Sequence, residues 1–246
     1  MKILAYTAAA LVAVLVGIGV ALVAVITCPI GPDDECRGTK VADRITGTMG
    51  VDQIYALGGD DSVKGGFGED TMYGGDGNDR AGGGPGNDTF YGGVGNDRMS
   101  GGEGQDEIHG GAGADIDLDG DDLIDRIYGE EGDDFELDGD RGNDLLKGGP
   151  GDDGGAPTSE NLQHHGLRGE GGENWVYGEG GDDTMDAQRA VDVGGASEHI
   201  FGGEGDDTIT AADGVQDEID CGAGLDTVVS YDRGLDELAN CETTPK

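Results

Sequence analysis

Aspartate recurs every nine residues through the first half of this chain. From Gly38 to His109 the sequence divides into eight consecutive nine-residue units, and the sixth position of every unit is Asp. These residues are Asp43, Asp52, Asp61, Asp70, Asp79, Asp88, Asp97 and Asp106. The eighth position is apolar in every unit, from Ile45 to Ile108. A flexible glycine-rich linker has no reason to keep both columns, so the pattern indicates stacked repeats that share a core.

The residue types around each Asp favour binding of a hard cation. Glycine precedes the aspartate at up to three positions, as in G83-G-P-G-N-D88-T-F90-Y. Glycine adopts positive φ angles and lets carbonyl oxygens crowd a cation without Cβ clashes. A ligand set of carboxylate and carbonyl oxygens suits Ca²⁺ better than Mg²⁺ or a transition metal. The spacing therefore predicts several bound calcium ions.

The pattern G-G-x-G-x-D-x-U-x, where U is a large apolar residue, resembles the RTX, or hemolysin-type, calcium-binding nonapeptide repeat. The resemblance covers Gly38 to His109 without interruption and extends, with insertions, to about Val229. It implies an all-β fold, a parallel β-roll (a right-handed β-solenoid), in which six residues form a turn and three form a short strand. Two units then complete one coil of eighteen residues, with the eighth position pointing inward. The closing stretch from Asp217 to Glu242 is similar to the cysteine-bearing end of small exported bacterial calcium-binding proteins.

Such coils would stack alternate aspartates in two columns, one from Asp43 to Asp97 and one from Asp52 to Asp106. Less regular units add further candidate ligands: Asp115, Asp134, Asp144, Asp153, Asp183, Asp207 and Asp226. Carboxylates stacked at the strand spacing repel each other, and the apolar column is thin. We therefore expect the repeat region to be largely unfolded in a chelator and to fold when calcium binds.

Three features interrupt the pattern. Asp115, Asp117, Asp119 and Gly120 match the opening of an EF-hand-like loop, although Arg126 stands at loop position twelve; the alternative is a solvated acidic insertion. The unit from Gly129 has one residue too many and places Glu136 where an apolar residue belongs, so we expect a distorted coil. Asn174 replaces the aspartate of the unit from Gly169, which weakens any site there, and the neighbouring Trp175 is expected to pack at a strand edge.

The amino terminus is apolar. Ile3 to Ile26 contains no charge after Lys2 and predicts one N-terminal apolar helix, either a cleaved signal peptide or a retained signal anchor that tethers the chain to a membrane. In either case the rest is expected to be exported, secreted or anchored at the cell surface. The domain division we expect is 1–27 for this segment, 28–37 for a cysteine-containing linker, 38–229 for the β-roll and 230–246 for a disulfide cap. Insertions are expected near 116–124, 154–168 and 187–198.

The four cysteines allow three pairings. Local pairs, Cys28 with Cys36 and Cys221 with Cys241, would fasten the two ends of the acidic region in an oxidising compartment. Zinc binding is the competing reading, but no C-x-x-C motif or nearby His supports it.

Composition excludes several classes of function. The 246 residues include 53 Gly, carry a net charge of −39 and have only 5% aromatic residues. Such a charge repels nucleic acid and anionic lipid head groups. The motifs H-E-x-x-H and G-x-S-x-G are absent, and the repeat accounts for most carboxylates, so we expect no enzyme. The predicted function is exported calcium binding. The alternative is a calcium-stabilised surface adhesion or matrix protein that binds a macromolecular partner.

Overall fold

A computed structural model describes residues 12–13, 24–28, 35–154, 166–187 and 197–242. Every regular element in these ranges is a β-strand. The first twelve strands are β1 (Val12–Ala13), β2 (Ala24–Thr27), β3 (Glu35–Arg37), β4 (Asp43–Thr46), β5 (Gln53–Gly58), β6 (Ser62–Lys64), β7 (Thr71–Asp76), β8 (Arg80–Pro85), β9 (Thr89–Val94), β10 (Arg98–Glu103), β11 (Glu107–Ala112) and β12 (Asp117–Asp122). The others are β13 (Arg126–Glu131), β14 (Glu136–Asp138), β15 (Leu145–Pro150), β16 (Gly166–Arg168), β17 (Trp175–Gly180), β18 (Thr184–Asp186), β19 (His199–Glu204), β20 (Thr208–Ala211), β21 (Glu218–Ala223), β22 (Thr227–Tyr231) and β23 (Glu237–Ala239).

The strands alternate between two parallel sheets, as the repeat predicts. Even-numbered strands from β2 to β22 form the first sheet and odd-numbered strands from β3 to β23 form the second, while β1 pairs antiparallel with β2. In the second sheet Met72 lies between Ile54 and Phe90, one coil of eighteen residues away on either side. The chain is therefore an all-β parallel solenoid of about 10 turns.

The core is a narrow column of inward-facing side chains between the two sheets. Phe90, Ile108, Ile127 and Ile200 are among its largest members, and each is at most 1% exposed. Neighbouring strand residues alternate with them and face outward, as in β9, where Phe90 is buried and Tyr91 exposed. Each turn thus contributes little apolar burial.

Two units of the middle region contain ten residues and fit the coil without disruption. Their extra residues are Ile116 and Phe135, whose backbone N–H groups donate to the backbone carbonyl oxygens of Asp97 and Asp115 at 3.0 and 2.8 Å. The following strands keep register, with Leu118 opposite Leu137 and both fully buried. The expectation that Glu136 occupies the core position is wrong, because the extra residue shifts Leu137 into that place.

The EF-hand-like reading of residues 115–120 is also wrong. Asp117 and Asp119 lie in strand β12 on either side of the inward-facing Leu118, whereas Asp115 is buried in the preceding turn. Strand alternation sends Asp117 and Asp119 to the outer face, so they cannot share an ion with Asp115. The interruption expected near 116–124 consists of the single additional residue Ile116.

The predicted N-terminal helix is not confirmed. Ala24–Thr27, at its expected carboxyl end, is strand β2 and pairs in parallel with β4, with Ala24 and Ile26 buried. Apart from Val12–Ala13, the rest of the predicted helix lies outside the described residues. Within those residues there is no helix long and apolar enough to cross a membrane.

The cysteines approach each other in the two local pairs. The Cα atoms of Cys28 and Cys36 are 5.0 Å apart, those of Cys221 and Cys241 are 5.2 Å apart, and the sulfur atoms of each pair lie at bonding distance. These separations suit disulfide bonds. Strand β23, within the segment expected to cap the solenoid, adds a last strand beside β21.

Candidate metal centre

Polar residues at the turns form two continuous columns along the solenoid, one beside each sheet. The first column, at the entrance to the first sheet, consists of Asp43, Asp61, Asp79, Asp97, Asp115, Asp134, Asp153, Asp183, Asp207 and Asp226. The second column consists of Asp52, Asp70, Asp88, Asp106, Asp125, Asp144, Asn174, Glu198, Asp217 and Asp236. Members of a column are one coil apart, so the repeat alone brings them together.

One side-chain oxygen of most column residues accepts a hydrogen bond from a backbone N–H group of the preceding coil. The Asp70 N–H donates to Asp88 Oδ1 at 2.7 Å, and the Asp88 N–H donates to Asp106 Oδ1 at 2.6 Å. The same bond recurs along both columns at 2.6–3.1 Å. This bond fixes the direction in which each carboxylate presents its other oxygen.

The other oxygen of most of these carboxylates is buried and accepts no hydrogen bond from the described residues. It is Oδ1 in Asp43 and Oδ2 in Asp61, Asp70, Asp79, Asp88, Asp97, Asp106, Asp115, Asp125, Asp134, Asp144, Asp153, Asp183, Asp207, Asp217 and Asp226. A buried acceptor without a partner costs about 1–3 kcal/mol, and more when it is charged. A repeated cost of this kind indicates that the turns are shaped for a ligand that is positively charged.

Glycine at the first position of most units keeps the space beside these oxygens open. A Cβ atom on Gly65 would lie 2.5 Å from Asp70 Oδ2 and 2.9 Å from the carbonyl oxygen of Gly83 in the next coil. The same two atom types converge on Gly83, from Asp88 and Gly101, and a methyl group would clash with both. Each such turn is a small cradle walled by carboxylate and carbonyl oxygens, the donors that Ca²⁺ prefers.

Burial and mutual repulsion raise the pKa values of most of the column aspartates. Burial is the main cause that raises the pKa of Asp88 to about 6 and the pKa of Asp115 and Asp153 to about 8, against the lowering effect of the backbone hydrogen bond each accepts. Neighbouring carboxylates of the same column raise the pKa further, as Asp134 does for Asp115. The ionised columns are therefore unfavourable unless a cation balances them.

All fifteen aspartates proposed from the sequence lie in the two columns. Sequence reasoning missed Asp125, Glu198, Asp217 and Asp236. Asp125 follows Gly120 at the regular spacing and could have been found had that stretch not been read as an EF-hand-like loop. Glu198 carried no such signal, because it follows residues 188–196, which break the period.

The ends of the columns are closed by protein groups. Thr48 donates its backbone N–H and its hydroxyl to Asp52 Oδ2 at 2.6 and 2.9 Å. Thr39 donates its backbone N–H to Asp43 Oδ2 at 2.6 Å. At the other end the Asp226 N–H donates to Glu242 Oε2 at 3.2 Å, next to Cys241. These residues replace the neighbouring coil that a terminal aspartate lacks.

With this geometry, comparison with known proteins identifies the repeat. The family model of the RTX calcium-binding nonapeptide repeat matches residues 46–81, 82–117, 119–154, 167–193 and 192–228. The chain belongs to this family. Its RTX repeats are of the calcium-binding type, and the two columns occupy the turns of those repeats. No match to this RTX-repeat protein was found among curated proteins.

Carboxylates also cluster outside the columns, on the outer face of the first sheet. Oxygens of Asp119, Asp121 and Asp140 lie within 4.8 Å of one another, as do those of Asp138, Asp140 and Glu170. These groups are only half-buried. Buried Arg168 forms ion pairs with Asp138, at 3.2 Å, and with Glu170, so protein groups balance part of the charge.

The outer face of the second sheet carries an aromatic ladder that the sequence analysis did not predict. Its five consecutive members, Tyr55, Tyr73, Tyr91, His109 and Tyr128, stack with ring centroids 4.8–5.0 Å apart. Further along, Tyr177 stacks on Phe201 at 4.7 Å and Trp175 on His199 at 4.1 Å. The rings cover one another's faces, so this ladder reinforces the coil stacking.

Proposed function

We propose that this RTX-repeat protein is an exported, non-enzymatic calcium-binding protein whose repeat region folds when Ca²⁺ binds. The observation that carries the proposal is the set of buried column carboxylates with one oxygen unpartnered among the described residues. The proposed ligands are the fifteen aspartates predicted from the sequence, together with Asp125, Asp217 and the glycine carbonyls of the cradles.

Folding on binding follows from the repulsion within the columns. Carboxylates one strand spacing apart repel by roughly 3 to 4 kcal/mol per pair at an effective dielectric constant near 20. The thin core offers little to offset this repulsion. Bound Ca²⁺ would balance the negative charge and would be ligated by the unpartnered carboxylate oxygens of neighbouring coils. The backbone N–H groups would keep each carboxylate oriented toward the ion. We therefore propose that calcium and the folded coils stabilise each other.

Export is supported by the cysteine pairs. Disulfide bonds between Cys28 and Cys36 and between Cys221 and Cys241 would persist outside the cytosol. For an exported protein we expect calcium affinities of about 0.1–1 mM, the range typical of extracellular modules. The non-enzymatic role is supported by the repeat itself, because the two columns account for the buried aspartates that a carboxylate-based active site would need.

A calcium titration of the full chain, with its cysteines oxidised, tests the proposal. Isothermal calorimetry gives the number of ions, and circular dichroism gives the strand content in the same samples. We expect several Ca²⁺ per chain and a cooperative rise in strand signal, with Mg²⁺ at equal concentration producing much less. Absence of calcium binding at millimolar concentration would overturn the proposal.

A further inference from the structure

The second column changes chemistry at Asn174 and Glu198, two consecutive members that replace aspartate. Asn174 is fully buried, and its Oδ1 accepts the Asp144 N–H at 2.7 Å, as an aspartate oxygen does elsewhere in the column. This bond determines the orientation of the amide, because a backbone N–H requires an oxygen opposite it. The amide nitrogen must therefore occupy the place where other members present the second carboxylate oxygen.

The amide nitrogen of Asn174 has a hydrogen-bond acceptor in the next coil. Asn174 Nδ2 donates to Glu198 Oε1 at 3.1 Å, between side chains that are both buried. The extra methylene of the Glu198 side chain lets its carboxylate reach the amide. The backbone N–H of Glu198 donates to Asp217 Oδ1 at 2.9 Å, which is the usual hydrogen bond of the column. Glycine still precedes the turn, but a methyl group on Gly169 would clash with the Asn174 amide nitrogen rather than with a carboxylate oxygen.

We propose that the Asn174–Glu198 pair is a metal-independent staple that interrupts the second column of calcium sites. An amide NH₂ group donates two hydrogens and cannot ligate a cation, so the direct hydrogen bond replaces the ion between these coils. The second column is thereby divided into a block from Asp52 to Asp144 and a short block at Asp217 and Asp236. This inference rests on the proposed calcium binding and concerns where in the chain it stops.

The test restores the carboxylate. In Asn174→Asp the new oxygen would face Glu198, and the resulting repulsion would create a demand for a cation. We expect this variant to bind one or more additional Ca²⁺ per chain, counted by native mass spectrometry and equilibrium dialysis. The control is Asn143→Asp, which adds the same charge at an exposed turn residue one coil away whose Oδ1 accepts the Glu173 N–H. We expect this control to bind as many ions as the wild type.

Equal ion numbers in Asn174→Asp, Asn143→Asp and the wild type would overturn the staple while leaving calcium binding itself intact. If Asn174→Asp fails to fold, Asn174→Asp combined with Glu198→Asp restores two ordinary members and is expected to show the same gain. Failure of both variants to fold in excess calcium would also contradict the inference, since a restored calcium turn should be stable there. A wild-type chain that binds no calcium would instead refute the proposed function.

Discussion

Substitution of Asp88 by Asn should change stability in opposite directions with and without calcium. Asp88 lies within the second column, where its Oδ1 accepts the Asp70 N–H at 2.7 Å and its Oδ2 has no hydrogen-bond partner in the described ranges. Asparagine has the same shape and keeps the first contact through its carbonyl oxygen. Asparagine replaces the second oxygen by an NH₂ group, so the hydrogen bond of the column remains and the calcium ligand is lost.

The magnitudes follow from the environment of Asp88. Burial raises its pKa to about 6 from 3.8, so the ionised form destabilises the calcium-free fold by about 3 kcal/mol at neutral pH. Asp88→Asn should recover much of that free energy in a chelator. In calcium the same variant loses one ligand position, and a site filled at 100 times its dissociation constant contributes about 2.7 kcal/mol.

The assay is a pair of folding titrations followed by circular dichroism. In EDTA the chain is titrated with trimethylamine N-oxide, which favours burial; in buffer it is titrated with calcium. Asp88→Asn should fold at lower osmolyte concentration and at higher calcium concentration than the wild type. The control, Asp60→Asn, removes an equal charge from an exposed residue whose Oδ1 accepts the Asn78 N–H at 3.0 Å, and it should change both midpoints little. Shifts of the same sign in both titrations, or equal shifts in the two variants, would refute the reasoning.

Three further predictions follow from the same geometry. Gly65→Ala should remove calcium binding at its cradle and raise the calcium midpoint of folding, whereas Gly82→Ala, whose Cβ would meet no atom within 4 Å, should not; equal midpoints would contradict the cradle. Lowering the pH from 8 to 5 should increase the strand signal in EDTA. The raised aspartate pKa values mean that the folded chain binds more protons than the unfolded chain, and this stability is lost as the pH rises through about 6 to 8. Calcium affinity should fall over the same decrease in pH, and a pH-independent strand signal in EDTA would contradict the prediction. Tyr73→Ala should cost the calcium-loaded protein about 1–3 kcal/mol in urea unfolding, since it removes two ring stacks, and an unchanged urea midpoint would show that the ladder is not stabilising.

The regular part of the fold could be predicted because each residue type is tied to one place in the coil. The sixth-position Asp, the preceding Gly and the eighth-position apolar residue together identify the turn, the cradle and the core between Gly38 and His109. Beyond that range a strict period of nine fails. A single extra residue at Ile116 or Phe135 leaves the coil intact but moves every later position in the sequence count, which is why Glu136 was wrongly expected in the core.

Other features depend on neighbours that a single unit does not reveal. The aromatic ladder arises because residues eighteen apart, such as Tyr55, Tyr73 and Tyr91, meet at the strand spacing, and its signal was present in the sequence. Asn174 and Glu198 are 24 residues apart, with residues 188–196 between them, so their pairing can be recognised only from the stacked coils of the structure. Its physical basis is the match between an amide donor and a longer carboxylate, which no nonapeptide pattern contains.

The most direct test of calcium-dependent folding is small-angle X-ray scattering of the oxidised full chain at neutral pH, in EDTA and in saturating calcium. The account predicts an expanded chain in EDTA and an ordered, elongated solenoid in calcium, with the change reversed when the chelator is added back. A scattering profile that stays that of the folded solenoid in EDTA would contradict it.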